Sequence, residues 1–367
     1  MNVLLTGRGI EMMRAVRQLA VDLNIAGHCS AIIDDIPCAI DYYCEKEIIC
    51  FFRSAISEYY NLDIQTAANT ALQNVPYEMS TIDGVSVAEA TQYEKRIINR
   101  SGELSERNAD QLTRMTAEAV VVIRRIIESF RPDIIAAWNS ELCESKVIQA
   151  IAKPMGIPVV FLERGLLPDS LVIDPKGVNA RADISTGAWP AFIESKAILG
   201  IPENVHNYLS HWISARQSIV NQPESEDRVS LRRRLGVSDN HHMLLLPAQI
   251  DDDTNIVMNC PRFRTNESVI QWLLDYAQKN NTVRIVFKPH PESKCLQRPE
   301  RLLAHYGIVA NGMNLHSLIL AADAVVVRNS TVGWEAVLLE RPTVVLGLSI
   351  YSGKGMTYDA VDNSFQS

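Results

Sequence analysis

Apolar and polar positions along the chain fall into two periodicities. Asn2–Thr6 is a short apolar run ending in Gly7-Arg8-Gly9, and from Glu11 to Leu23 apolar residues recur every three or four positions. A strand, a tight turn and a helix are predicted. From about residue 41 to 130 the pattern is helical, with Tyr, Ile and Leu at three- and four-residue intervals and few turn signals before Asp83-Gly84. Ser105–Phe130 reads as one long helix stopped at Arg131-Pro132, because the residue before proline avoids the helical region.

The alternation then sharpens. Asp133–Trp138 is predicted as strand, Glu141–Lys153 as helix and Pro158–Leu162 as strand, a parallel α/β unit whose ligands sit beyond the carboxyl ends of the strands. Trp138-Asn139-Ser140 and Glu163-Arg164-Gly165 stand at such ends and are expected to line a cleft. The polar stretch QPESEDRVSLRRRLGVSDN (222–240) reads as a link carrying a short helix. A second series follows: strands at Met243–Leu246, Val283–Phe287, Ile308–Val309, Ala324–Val327 and Thr343–Leu346, with helices at Glu267–Gln278, at Leu315–Ala321 and from Val332. The fold class expected is α/β, with two Rossmann-like doubly wound domains facing a cleft in the GT-B architecture. The domains are placed at 1–236, with a helical insertion at about 41–130, and 237–367. No repeat at solenoid spacing is present.

Length and composition agree with two folded domains: 367 residues, 47% hydrophobic and 21% charged. Acidic residues outnumber basic ones, 43 to 35, so no overall field favours a polyanion and nucleic acid is not expected as a partner. The amino terminus lacks the basic and apolar regions of a signal peptide. The longest apolar runs, Ala117–Ile127 and Ala321–Val327, are interrupted by Glu118, Arg124 and Asp323, well short of the ~20 apolar residues that span a bilayer. A cytoplasmic protein is expected. Seven cysteines without a CxxC pair argue against zinc and disulfide frameworks, and no metal site is expected.

Three stretches of the second series carry candidate chemistry. In VRIVFKPHPES an apolar strand delivers Lys288, Pro289, His290 and Pro291 to the sheet edge, where the prolines stiffen the backbone around an imidazole suited to meeting a phosphate. In AVVVRNSTVGWEAV a strand runs into a helix through Arg328, Asn329, Ser330 and Thr331. Helix amino ends present free amide donors to phosphate oxygens, Arg328 adds a cation, and Glu335 one turn on is a candidate acceptor for ribose hydroxyls. A plain N-cap is the simpler alternative. In LLLPAQIDDDTNI a strand leads to Gln249 and to Asp251, Asp252 and Asp253; a carboxylate there can attack or stabilise a sugar centre, whose transition state is cationic. In the first domain FLERGLLPDSLVIDPKGVNA supplies Glu163, Arg164, Asp169, Asp174 and Asn179, with Gly165 and Gly177 expected to permit tight turns that aim these groups into the cleft. A polar surface loop is the alternative. Gly7-Arg8-Gly9 lacks the full dinucleotide spacing.

Taken in order, LERGLLPDSLVIDPKGVN, PAQIDDDTNI, KPHP and NSTVGWEAVLLERPTVVLGLSIYSGKGMT resemble the bacterial capsule polysaccharide biosynthesis proteins that include the β-Kdo glycosyltransferases. The resemblance spans roughly Pro132 to Thr357 and leaves the preceding helical region unmatched. It implies a GT-B glycosyltransferase that uses a CMP-activated acidic sugar, typically CMP-Kdo, as co-substrate and needs no other cofactor. It further implies a glycan or lipid-linked glycan acceptor and peripheral association with capsule assembly machinery at the inner face of the cytoplasmic membrane.

By the same resemblance, Gln249 and Asp253 match a QxxxD segment near the donor, whose aspartate forms a covalent glycosyl adduct. His290 with Pro291, and Asn329, Ser330 and Thr331, match segments at the donor's nucleotide phosphate. Glu163 matches a cleft carboxylate acting on the acceptor hydroxyl. Arg164 departs from the acidic residue some members carry at that place and is a candidate for holding an acidic sugar or acceptor. The end of the chain soon after YSGKGMTYDA lacks the closing helices the architecture expects and reads as a truncated product.

The mechanism expected is double displacement, with Asp253 as nucleophile, Glu163 as base, and Lys288, His290 and the Ser330-Thr331 helix start stabilising the leaving phosphate. The rivals are direct displacement from a UDP-sugar, with Glu163 as base, and a non-catalytic glycan-binding subunit of a capsule complex.

Overall fold

The structure, a computed structural model, describes residues 1–7, 10–34, 49–52, 58, 60–72, 75–99, 104–187, 189–200, 202–216, 218, 222–291, 299–303 and 305–360. Contacts divide the chain into two compact units, Met1–Arg164 with Leu171–Ala182, and Gly165–Ser170 with Asp183–Ser367.

The N-terminal unit is built on β1 (Asn2–Thr6), β2 (Cys29–Asp34), β3 (Ile49–Phe52), β6 (Ile134–Trp138), β7 (Val159–Arg164) and β8 (Leu171–Asp174), in the spatial order β3-β2-β1-β6-β7-β8. The pairs are parallel except β7 with β8. Between β3 and β6 lie the hairpin β4 (Thr81–Ile82) and β5 (Val85–Ser86) and most of the helical residues. Successive residues of β1 point to opposite faces: Leu4 enters one apolar cluster, and Val3 and Leu5 enter another. Helices α1 (Ile10–Ile25), α2 (Asn61–Leu72), α3 (Glu106–Phe130) and α4 (Cys143–Ala152) cover these faces.

Helix α3 shows why the sequence folds this way. Ser105 caps its start by accepting from Asn108 N–H, and Leu112, Thr116, Val120, Ile123 and Ile127 line its buried face at three- and four-residue steps. Each large apolar side chain so buried contributes about 1.5–3 kcal/mol. Arg131, in the left-handed region at φ 51°, ends the helix before Pro132.

The C-terminal unit repeats the plan with all strands parallel: β9 (His242–Pro247), β10 (Val283–Lys288), β11 (Gly307–Val309), β12 (Ala324–Val327), β13 (Thr343–Val345) and β14 (Tyr358–Asp359), ordered β11-β10-β9-β12-β13-β14. Strand order reverses between β9 and β12, as it does between β1 and β6 in the first unit. In such sheets the crevice outside the carboxyl ends at the reversal is the ligand position. Its helices include α5 (Trp189–Leu199), α6 (Glu203–Ala215), α7 (Arg228–Arg234), α8 (Thr254–Asn259), α9 (Asn266–Lys279), α10 (Leu315–Ala321) and α11 (Thr331–Leu338). Two apolar clusters again flank the sheet. Both units are therefore Rossmann-like and doubly wound.

Several details differ from the sequence reading. The compact units meet in the chain at Ala182 and Asp183 rather than at 236 and 237. The 222–240 stretch packs within the C-terminal unit: Arg228 and Arg232 both bind Asp323, Glu226 N–H donates to Ser317 Oγ, and Leu315 N–H donates to Gln222 Oε1. The helical insertion contains strand β3, while 41–48 and 53–57 lie outside the described residues, as do Arg8 and Gly9. Gly165 and Gly177 do not adopt positive φ; the left-handed residues of that loop are Asp169 and Asn179, both at φ 53°. Gly177 instead allows close approach, since a Cβ there would lie 3.0 Å from Ser140 Oγ. No described helix is long and apolar enough to cross a membrane.

Candidate functional site

In the C-terminal unit, β9 and β12 deliver Gln249 and Asn329 to the reversal of strand order. Gln249 Nε2 donates to Asn329 Oδ1 at 3.0 Å, and Asn329 Nδ2 donates to the carbonyls of Asn255 and Leu348 at 2.8 and 3.2 Å. Asn255 Nδ2 returns a bond to the Asn329 carbonyl at 3.1 Å. The Gln249 loop, the start of α8 and the strand end before α11 are thus tied together. Gln249 Oε1 is shielded from solvent with no hydrogen-bond partner among the described residues.

Arg328 does not supply a ligand cation. Its side chain is 2% exposed, and its Nη1 and Nη2 groups donate to Asp251 Oδ1 at 2.8 Å, the Arg264 carbonyl at 3.1 Å, the Gln249 carbonyl at 2.7 Å and Asn266 Oδ1 at 3.1 Å. Asn266 in turn donates to Asp251 Oδ1 and to the Gln249 carbonyl. Among the three aspartates, Asp251 is therefore a buttress. Asp253 is exposed and caps α8, its Oδ1 accepting from Asn255 N–H at 2.7 Å.

Ser330 caps α11 by accepting from Val332 N–H at 3.1 Å, and the half-buried Thr331 opens the helix. Tyr351 Oη donates to the Ser330 carbonyl; burial pushes that phenol up, so it stays a donor. A Cβ at Gly333 would collide with Tyr351, so the glycine admits the ring. Lys288, the last residue of β10, and His290, two residues past it, are half-buried, and Pro291 is exposed. Lys288 Nζ donates to the Met313 carbonyl at 2.7 Å; burial lowers its pKa, and it makes no ion pair among the described residues. A half-buried ammonium satisfied by a carbonyl favours an arriving anion.

Glu335 is not open to a ribose. It is 2% exposed, its Oε2 meets His316 Nε2 at 2.8 Å, and its Oε1 accepts from Ser218 Oγ at 2.9 Å. Trp212 stacks edge-on against His316. Helix periodicity placed Glu335 one turn from Thr331, but the residues that claim it come from distant stretches of chain.

In the N-terminal unit Glu163 lies near the end of β7, half-buried, opposite Val172 on β8. Its Oε2 accepts from Asn139 Nδ2 and its Oε1 from Arg164 N–H, both at 3.0 Å. The Arg164 side chain is exposed. Asp174 is 7% exposed and spends Oδ1 on the N–H groups of Lys176 and Gly177, so it shapes the loop instead of facing an acceptor. Asn179, left-handed, opens a short 3₁₀ turn. Ser140, expected at a cleft, and Glu141, to which sequence reasoning gave no role, are both buried beside this group; the signal for Glu141 was a polar run directly after an apolar strand.

Among the described residues no three His, Cys, Asp or Glu side chains group to hold a metal ion. The Cys260 thiol is buried and pushed up to about 11, which leaves it unreactive near neutrality.

Residues 199–367, which contain the Gln249–Asn329 centre, match the family model described as capsule polysaccharide biosynthesis protein. Over this segment the chain is similar to that family. Among curated proteins, the Rhizobium meliloti lipopolysaccharide-processing protein LpsZ is 30% identical over 133 residues, covering 35% of this chain and 29% of LpsZ. Protein FixF of Sinorhizobium fredii is 28% identical over 225 residues, covering 60% of this chain and 49% of FixF. The chain spans about half or less of the length of these relatives. Among solved structures, the Thermosulfurimonas dismutans KpsC β-Kdo 2,7 transferase aligns with TM-score 0.43 and 19% identity over 75% of this chain and 81% of that one.

Proposed function

We propose that the chain is a glycosyltransferase of capsule or surface polysaccharide biosynthesis that takes a CMP-activated acidic sugar, such as Kdo, and transfers it to a glycan or glycolipid acceptor. The observation that carries the reading is the Gln249–Asn329 bond at the strand-order reversal, inside the segment that matches the capsule family. It joins the QxxxD loop to the helix start that would meet the donor phosphate. The CMP donor itself is taken from the motif resemblance.

The reaction we propose needs no metal. A carboxylate oxygen of Asp253 attacks the anomeric carbon as its bond to the phosphate oxygen breaks, and the electron pair leaves with CMP. Lys288, His290 and the α11 amide donors stabilise the departing charge. The acceptor hydroxyl oxygen then attacks the same carbon, Asp253 leaves as carboxylate, and Glu163 takes the hydroxyl proton. Two displacements retain the anomeric configuration.

Calorimetric titration of the purified chain with CMP, UDP and GDP, without added metal, tests this. Preferential CMP binding supports the reading. UDP preference moves the chain to direct displacement from a UDP-sugar, and glycan binding without nucleotide binding by folded protein makes it a non-catalytic subunit.

A further inference from the structure

Asn139 is the first residue past β6, at the edge where strand order reverses in the N-terminal unit. It is 5% exposed and sits in the left-handed region at φ 61°. Glycine occupies that region without strain, and asparagine tolerates it better than most residues.

Both ends of the amide are engaged. Oδ1 accepts from Glu141 N–H at 2.8 Å, and Nδ2 donates to Glu163 Oε2 at 3.0 Å. A backbone N–H can only donate and an ionised carboxylate can only accept, so the amide has one orientation that satisfies both. The turn is braced from behind. Ser140 Oγ donates to Glu141 Oε1 at 3.2 Å and accepts from Val178 N–H at 3.2 Å, while Lys146 and Arg181 lie 3.7 and 3.9 Å from the Glu141 carboxylate. Gly177 packs directly on Ser140 and Arg181. Asn139 therefore cannot swing away without breaking a buried polar network.

We infer that Asn139 is the positioning residue for Glu163: its amide fixes the carboxylate's direction and, with Arg164 N–H on the other oxygen, holds it ionised and ready to accept a proton. Donors to a carboxylate favour the charged form. The role in catalysis rests on the proposal that Glu163 takes the acceptor proton; the hydrogen-bonded geometry does not.

The Asn139→Asp variant isolates this. Aspartate keeps the acceptor for Glu141 N–H and tolerates the left-handed backbone, but it replaces the donor facing Glu163 with a second carboxylate. Asn139→Gly serves as the companion, relieving the backbone and deleting the amide. The Glu163 carboxyl is followed by carbon NMR in protein labelled at glutamate carboxyls, with its signal assigned by Glu163→Gln. Its titration midpoint should rise by about one pH unit or more in Asn139→Asp and by less in Asn139→Gly. CMP release from CMP-Kdo, with water or methanol as acceptor, should then show its acid limb displaced upward, a loss of about tenfold at a fixed pH on that limb. CMP affinity should stay unchanged.

An unmoved midpoint in Asn139→Asp, with Glu163→Gln inactive, overturns the inference and spares the function. Full activity in Glu163→Gln overturns the base assignment and the catalytic role of Asn139 with it.

Discussion

Gln249 Nε2 donates to Asn329 Oδ1 across the strand-order reversal of the C-terminal sheet, linking residues 80 positions apart at 3.0 Å. Asn329 is 2% exposed and holds three further bonds, so it anchors Gln249 to a rigid point. Beneath it Arg328 clamps the backbone of the same loop. The donor side of the proposed reaction thus rests on a preorganised polar frame, which spares it reorganisation when charge develops.

Asp253 has two duties that substitution can separate. Asparagine caps a helix as well as aspartate does, whereas alanine costs about 0.5–2 kcal/mol. Asp253→Asn should keep the unfolding midpoint in denaturant and CMP affinity, yet lower transfer by about 10⁴-fold or more, as expected when a nucleophile is lost. Asp253→Ala should add a loss of stability to the same loss of turnover.

Arg328 is predicted to act through stability. Removing one partner of a buried ion pair costs about 3–5 kcal/mol, and Arg328→Ala would strip Asp251 of its partner. Arg328→Lys should recover only part of this, because an ammonium cannot reproduce the planar fork that reaches Asp251, Asn266 and the Gln249 carbonyl together. Denaturant unfolding of the three proteins checks the order wild type, lysine, alanine.

Lys288 is predicted to make the proposed CMP binding pH-dependent. Burial lowers its pKa from 10.5, so the folded protein loses this proton before the unfolded chain does, and stability rises with pH between the lowered value and 10.5. A bound phosphate favours the ammonium. CMP binding on the alkaline side should therefore take up a proton, and affinity should fall as pH rises through the lowered value. Calorimetry in two buffers of different ionisation enthalpy reads the uptake. Lys288→Met should abolish it and weaken CMP binding by ~10–100-fold, the worth of a charged hydrogen bond.

Glu335 should behave as a core residue. With both oxygens engaged by His316 and Ser218, Glu335→Ala should lower stability by about 1–3 kcal/mol, the cost of leaving a buried polar partner unsatisfied, measured by denaturant unfolding. A variant of unchanged stability that had lost only CMP affinity would return Glu335 to the ribose role.

Much of this architecture is legible in the residues, for physical reasons. β1, α10 and β12 fall on the residues the pattern predicts, because each is a clean apolar period with clear ends. β8 reads as loop because it is a four-residue edge strand, exposed on alternate positions and rich in flanking turn residues. β3 hides inside a stretch whose apolar spacing also suits a helix. Pairings are the harder limit. Arg328 after an apolar strand looks like a ligand cation until Asp251, from the Gln249 loop, and Asn266, at the start of α9, are found to absorb it. Glu335 looks available until His316 closes on it. Asn139 carried only its position at a strand end; its conformation and its bond to Glu163 exist only in the fold.

The most direct test of the central claim is mass spectrometry of the protein after incubation with CMP-Kdo in the absence of acceptor, followed by peptide mapping. One Kdo residue attached to Asp253, released on adding acceptor and missing in Asp253→Asn, is the result predicted. Transfer that proceeds undiminished in Asp253→Asn, with no adduct in either protein, would contradict it.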